Sequence, residues 1–375
     1  MKLSCDARLL AKALSAVARA VPQRTTLPVL GNVLLEAVGE RLTLTTTDLE
    51  IGVRTSIPAV VEAAGATTVP AKLMAGVVAQ MPEERVSIAL EDADLRMAAG
   101  RYSTTLRTTS ADEFPPGPQP AEEEPIRLPR EDLLAAIEQV RPAVSTDIAR
   151  PTLTGVLLHF QESSLTLVAS DGWRLVRRGL DVGGAQLQAV VLARALGEVV
   201  RLFREEADQV SIRFSPARNQ VFIRCGATEV ASRLLDGDYP SYEKFIPTQA
   251  STVARVPRGE LVRAVRMVGV LAESTSFRPV SLRVAAGRVD LSSIAMEIGT
   301  AEAALEAEVE GEATQIALNS RFLLDALAAV SAEEVELRLN GPLSPAVIRG
   351  VDADDCNCVV MAVRIAAQPQ TRSAA

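Results

Sequence analysis

Two aspartates sit in matching stretches of this chain, Thr47-Asp48-Leu49 and Ser170-Asp171-Gly172, 123 residues apart. A carboxylate fixed in a tight turn can act as a general acid or base when a second group orients it. No such group is visible in the sequence near either one. The single histidine, His159, falls in the alternating apolar run GVLLHF (155–160), where a strand histidine packs rather than catalyses. No phosphate-binding GxxxxGK[ST], no GxSxG and no HExxH occurs. The four cysteines, Cys5, Cys225, Cys356 and Cys358, form no CxxC pair. Cys356 and Cys358 are two apart in strand-like sequence and point to one face, which suits neither a local disulfide nor a finger-type zinc site. Residue chemistry therefore supports no catalytic centre, metal or cofactor. The recurring aspartate reads as a turn residue that caps its own backbone. An enzyme using Asp48 and Asp171 is the remaining catalytic alternative, and it requires Asp171→Asn to abolish a turnover with the fold intact.

The turn recurs because the whole chain recurs. A helix pattern opens at 6–8, 130–132 and 258–260, and aligning Leu9, Leu133 and Leu261 gives spacings of 124 and 128. A later helix pattern begins at Pro70, Leu192 and Leu318, with spacings of 122 and 126. Similar strand sequence separates the two helices in each copy. Periods this long exceed a solenoid unit, so each copy should be a domain with its own core. In the first copy, alternation predicts strands over 33–37, 41–46, 51–56, 86–90, 95–98 and 102–106. Each copy thus reads as two helices and about eight strands, an α+β class built on two antiparallel sheets per domain. Boundaries fall at 1–120, 127–248 and 252–365, with a tail over 366–375. The junction 113–125 (EFPPGPQPAEEEP) is proline- and glutamate-rich and extended. The second junction, 236–252, repeats Phe114-Pro115 as Tyr239-Pro240, 125 residues on. Three like domains in a row suggest an arc or part of a ring rather than one catalytic cleft.

Hydrophobic content of 48% is ample for cores, and no apolar run is long enough to cross a membrane. The N-terminus has an acid at position 6 and no long apolar segment, so no signal peptide is expected. Unpaired cysteines point to a reduced, cytoplasmic setting.

The helices carry a second signal. On the first, Arg8, Lys12, Ser15 and Arg19 fall on one side with Leu10, Leu14 and Val17 opposite. Arg263 and Arg266 share a face in the third copy, opposite Leu261 and Val265. The later helices add Lys72, Arg194, Arg201 and Arg321. Each basic face alone fits a solvated surface. As a set, in a chain of net charge −8, they predict a phosphate-tracking surface with no base readout. Aromatic residues are only 3% of the chain and none lies among these cations, so duplex is a better ligand than single strands, which need stacking platforms. Glu198, Glu205 and Asp325 dilute the positive charge.

These three repeats, with RTTLPVLGNVLLE (24–36), ATTVPAK (66–72), ASDGWRL (169–175), DGDYPSYEKFIP (236–247) and VVMAVRI (359–365), resemble the bacterial sliding clamps, the beta subunits of DNA polymerase III. The match runs in order through residues 1–365. The resemblance implies the DNA clamp fold, with no enzyme activity and no cofactor. It further implies a head-to-tail homodimer closing a six-domain ring around duplex DNA. A clamp loader would open the ring, and polymerases would be tethered to it through a Gln-Leu-x-Leu-Phe-like peptide. Arg24 matches a DNA-contacting loop arginine of the family. Leu134 and Ala135 replace basic residues expected on the middle domain. The matching peptide-groove positions are Leu153, Ser170, Gly172, Trp173, Arg174, Leu175, Pro240, Phe245, Leu343, Val359, Val360 and Met361. Ala362 stands where a proline is usual, and Trp173 where a smaller or polar residue is common. The matching dimer positions are Val270 and Leu271 in the third domain, facing Thr104 and Leu106 of the partner's first domain; Thr104 replaces a typical phenylalanine. A tail at 366–375 could shield the groove. A clamp paralogue with a repair or drug-resistance role is the alternative within the same architecture.

Overall fold

The computed structural model describes residues 1–364, apart from 82–83, 118, 184–185, 276 and 296–297; the expected tail at 366–375 lies outside the described residues. Among the described residues six α-helices form where the repeat predicted them: α1 Ala7–Val17, α2 Ala71–Val78, α3 Arg130–Val140, α4 Ala193–Phe203, α5 Arg258–Ala272 and α6 Ser320–Ala329. Each is amphipathic in practice. Leu10, Leu14 and Val17 of α1 are buried, as are Leu196, Val199 and Phe203 of α4 and Leu261, Val265 and Val268 of α5.

Helix starts follow local chemistry. Asp6 accepts the Arg8 and Leu9 amides at 2.8 and 2.9 Å, and Asn319 accepts those of Arg321 and Phe322; each satisfies orphan donors of a first turn. The repeat is visible in single bonds too. The amides of Ala7, Arg130 and Arg258, the first helical residues of the three copies, donate to Glu84, Asp208 and Glu333, each at 2.8 Å. In the later copies the arginine side chain adds more. Arg130 donates to the carbonyls of Arg204 and Glu206 at the end of α4, and Arg258 to those of Leu327 and Ala332 around the end of α6. Both place a cation on the unsatisfied carbonyl end of a helix.

Among the described residues all strand pairings are antiparallel. The chain divides into two compact units, Met1–Leu134 with Arg194–Asp236, and Ala135–Ala193 with Gly237–Ala375. The first unit holds a twelve-stranded sheet. The long strand Ile51–Ala63 joins its parts: its second half pairs with Lys2–Asp6, while its first half lies between Arg41–Thr47 and Thr228–Arg233. Strand Tyr102–Arg107 ends the order at one edge. The second unit holds a nine-stranded sheet, with Arg174–Asp181 paired to Ala353–Val360, and a four-stranded sheet whose edge is Gly299–Glu306. The strands expected in the first copy form within two residues at most ends, except that the one starting at Ile51 runs on to Ala63.

Candidate nucleic-acid and partner-binding surfaces

The ten cations expected to face DNA separate into two groups. Arg8, Arg19, Arg24, Lys72, Arg263, Arg266 and Arg321 are exposed, and none of their side chains makes an ion pair or hydrogen bond among the described residues. Three are already engaged. Lys12 pairs with Glu205 at 3.1 Å. Arg201 pairs with Glu198 at 2.6 Å and donates to the Ala16 carbonyl. Arg194 is clamped by Asp48 at 2.6 Å and Glu50 at 2.7 Å. Their charge is locally balanced, so each offers less to a phosphate than a free cation does. Two details differ from the helical-face reading. Arg19 lies in the 3-10 turn Ala18–Ala20 that follows α1, not on the helix itself. Asp325 does not dilute the α6 basic face, because it is turned to Arg174. At the middle copy, Leu134 is nearly buried and Ala135 exposed.

The groove positions gather in the second unit around the turn 170–174. Ser170 Oγ accepts the Gly172 amide at 3.1 Å and donates to the Arg174 carbonyl at 2.8 Å. Asp171 Oδ1 accepts the amides of Trp173 and Arg174 at 2.8 and 3.0 Å. Glycine suits position 172 of this self-capped turn: φ is +90°, a left-handed conformation that side chains disfavour, and a Cβ there would displace the end of the Arg150 side chain. Trp173 is pushed out at its tip and is 60% exposed. Phe245, in the 3-10 turn Glu243–Phe245, and Leu343 are exposed too; Pro240 lies on the surface.

Beneath the turn, Arg174 is the buried post. It is 9% exposed and donates to Asp171 Oδ2 at 3.1 Å, to Asp325 and to the Pro142 carbonyl. Its guanidinium lies 4.5 Å over the Phe322 ring. Two carboxylates, a carbonyl and a ring face thus satisfy a cation that would be costly if left unpaired in the interior. Leu153, Leu175, Val359 and Val360 are buried, with Val360 registered against Arg174. Met361 is half-buried, and its amide donates to the Trp173 carbonyl at 2.9 Å, which ties the end of the last strand to the turn. Ala362 bridges to Leu318 at the entry to α6. Burial, followed by the neighbouring Asp171 charge, holds the Tyr239 phenol above its ordinary value. The sequence reading missed Pro142, Arg150 and Phe322; Arg150 donates to the Asp171 carbonyl at 3.2 Å. No motif marks them, since only folding brings them to the turn.

The expected dimer positions lie on two separate edges. Thr104 and Leu106 are half-buried on the edge strand Tyr102–Arg107 of the first unit. Val270, 67% exposed, and the half-buried Leu271 lie on α5 in the second unit, where Met267, Phe277 and Ile298 are also exposed.

The catalytic alternative finds no support in the geometry. Asp48 Oδ1 accepts the amides of Glu50 and Ile51, the same turn capping as at Asp171. His159 shares a 3.2 Å contact with Gln188 on the neighbouring strand. All four cysteines are buried and free. Burial, then Asp6, pushes the Cys5 thiol up to about 12, and burial, then Glu206, pushes Cys225 up to about 11, so both stay protonated at neutral pH. Among the described residues no cluster of three or more metal-ligating side chains exists, and no helix is long and apolar enough to cross a membrane.

Three antiparallel repeats with paired helices define the DNA clamp class of fold. The N-terminal, central and C-terminal domain families of the DNA polymerase III beta subunit match residues 1–118, 127–241 and 243–364. The chain belongs to the DNA polymerase III beta subunit family, whose members are sliding clamps and not enzymes. It is 33% identical to the beta sliding clamp of Synechococcus elongatus, over 97% of this chain and all of that one. It is 28% identical to that of Staphylococcus aureus, over 92% and 94%. Among solved structures, the Bacillus subtilis DNA polymerase sliding clamp superposes with a TM-score of 0.94 at 27% identity, covering 98% of this chain and 100% of that one. A Pseudomonas aeruginosa sliding clamp bound to griselimycin gives 0.91 at 30%, covering 97% and 100%.

Proposed function

We propose that this processivity factor works as a homodimeric ring that encircles duplex DNA in the cytoplasm, is placed there by a clamp loader, and tethers polymerases through the 170–175 groove. The observation that carries the reading is the set of seven unpaired cations on the helices and loops of the first and third repeats, the middle repeat's Arg194 and Arg201 being paired. A closed ring needs no tight affinity, because topology retains it. Free cations interspersed with the paired Lys12, Arg194 and Arg201 give a shallow, sequence-blind attraction to phosphate. Retention on circular DNA tests this. Chain loaded on a nicked plasmid should co-elute with it through a sizing column and be lost after linearisation. Equal retention on both forms overturns the ring.

The dimer would form between the edge carrying Thr104 and Leu106 and the face carrying Val270 and Leu271 on a second copy. The Val270→Ala/Leu271→Ala double variant should sediment as monomer; an unaltered dimer removes that placement. The groove would take a Gln-Leu-x-Leu-Phe-like segment against Trp173, Phe245, Leu343 and Met361, with apolar anchors filling the space between them. A labelled peptide of that sequence should bind saturably and lose affinity on Met361→Ala.

A further inference from the structure

The first unit contains a twin of the groove. The correspondence is bond by bond. The Arg233 amide donates to the Glu50 carbonyl at 2.8 Å, as the Met361 amide donates to Trp173. Ser232 is registered against Ile51 as Val360 is against Arg174, and Ala231 against Gly52 as Val359 is against Leu175. The linker residues Phe114-Pro115 stand where Tyr239-Pro240 stand in the second copy. These elements enclose an open cleft of about 720 Å³, within the range of pockets that hold ligands.

Its chemistry differs from that of the groove. Leu34, Ile51, Phe114 and Phe222 supply apolar surface, with Leu49 exposed at the rim. Four carboxylates line it, Glu36, Glu50, Asp112 and Glu229, against two arginines, Arg54 and Arg233. Glu50 is taken by Arg194, and Glu36 lies 3.7 Å from Arg54. Asp112 and Glu229 have no cationic partner among the described residues. Arg233 is unpaired among those residues as well, so the cleft keeps one carboxylate in excess and favours a ligand that brings positive charge as well as an apolar group.

We propose that the cleft is a second docking site, for an extended segment of a partner protein with one apolar side chain flanked by lysine or arginine. The apolar residue would lie against Phe114 and Phe222, and the flanking cations against Glu229 and Asp112. The idea that such a cleft takes a peptide rests on the groove reading above; the preference for basic flanks rests on the cleft alone. The test pans a phage library of random decapeptides on the full chain, with excess Gln-Leu-x-Leu-Phe peptide present to fill the groove. Enriched sequences should carry an apolar residue between basic ones. Synthetic copies should bind at least tenfold more weakly to Asp112→Arg/Glu229→Arg and equally well to Met361→Ala. Leu49→Gln, at the exposed rim, provides a second variant should the double one lower the unfolding midpoint. Absence of enrichment over a protein-free control, or unchanged binding to both cleft variants, overturns the proposal. Failure of the Gln-Leu-x-Leu-Phe peptide itself to bind would overturn the groove reading instead, and the two outcomes are read separately.

Discussion

The turns at Thr47–Ile51 and Ser170–Arg174 have the same backbone wiring and opposite surfaces. In both, a hydroxyl accepts the amide two residues on and donates to the carbonyl four residues on. In both, an aspartate accepts the next two amides. The residues placed on that frame diverge. The left-handed position holds Leu49 in the first copy, at φ 75°, and Gly172 in the second. The tip holds Glu50 or Trp173, and the inward position holds Ile51 or Arg174. One frame thus carries a carboxylate clamping Arg194 outside and an apolar residue inside. The other carries an exposed indole outside and a buried cation inside. A repeated turn fixes where side chains go; which side chains stand there decides what the surface can bind.

The inward position should give the largest contrast. Arg174→Ala leaves Asp171 and Asp325 without their buried partner and should cost about 3–5 kcal/mol, read by chemical denaturation, with loss of Gln-Leu-x-Leu-Phe binding. Ile51→Ala should cost about 2–4 kcal/mol through a cavity while leaving that peptide bound. Equal loss of peptide affinity in both would mean that Arg174 acts only through general stability.

At the left-handed position the two copies should respond with opposite signs. Gly172→Ala adds a Cβ in a disfavoured conformation against Arg150 and should destabilise by about 1–2 kcal/mol. Leu49→Gly relieves the same conformation at an exposed site and should stabilise by about 0.5–1 kcal/mol. A loss of stability in Leu49→Gly would show that its side chain packs to more effect than its exposure suggests. At the tip, Trp173→Ala should weaken the peptide about tenfold, or about 1.4 kcal/mol, and Glu50→Ala should leave it unchanged. The smallest effect belongs to Arg194→Ala. Its pairs with Asp48 and Glu50 are largely exposed on the arginine side and should contribute about 0.5 kcal/mol, measurable as a slight fall in unfolding midpoint that vanishes at high salt.

Much of this was readable before folding. The in-register helix patterns, with Leu10, Leu14 and Val17 set against Arg8 and Lys12, depend on local periodicity, and the structure follows them. The aspartate turns were readable as well, since an Asx cap is made within four residues. Arg19 was misplaced because the first helix gives way to a 3-10 turn at Ala18, which no residue preference marks. Arg130 and Arg258 each donate to a carbonyl 74 residues further along the chain, which no local pattern marks.

The sequence alone determined the repeat, the helices and strands, the self-capped turns and the lack of catalytic groups, because these depend on residues close together in the chain. Only the tertiary structure decided which cations remain free. Lys12 and Glu205 are 193 residues apart, and Arg194 and Asp48 are 146 apart, so no pattern along the chain foretells their pairing. It also decided that Arg174 is a buried post and that Asp325 turns to it. Charge is neutralised by whatever lies within a few ångströms in space, and that distance exists only once the sheets have formed.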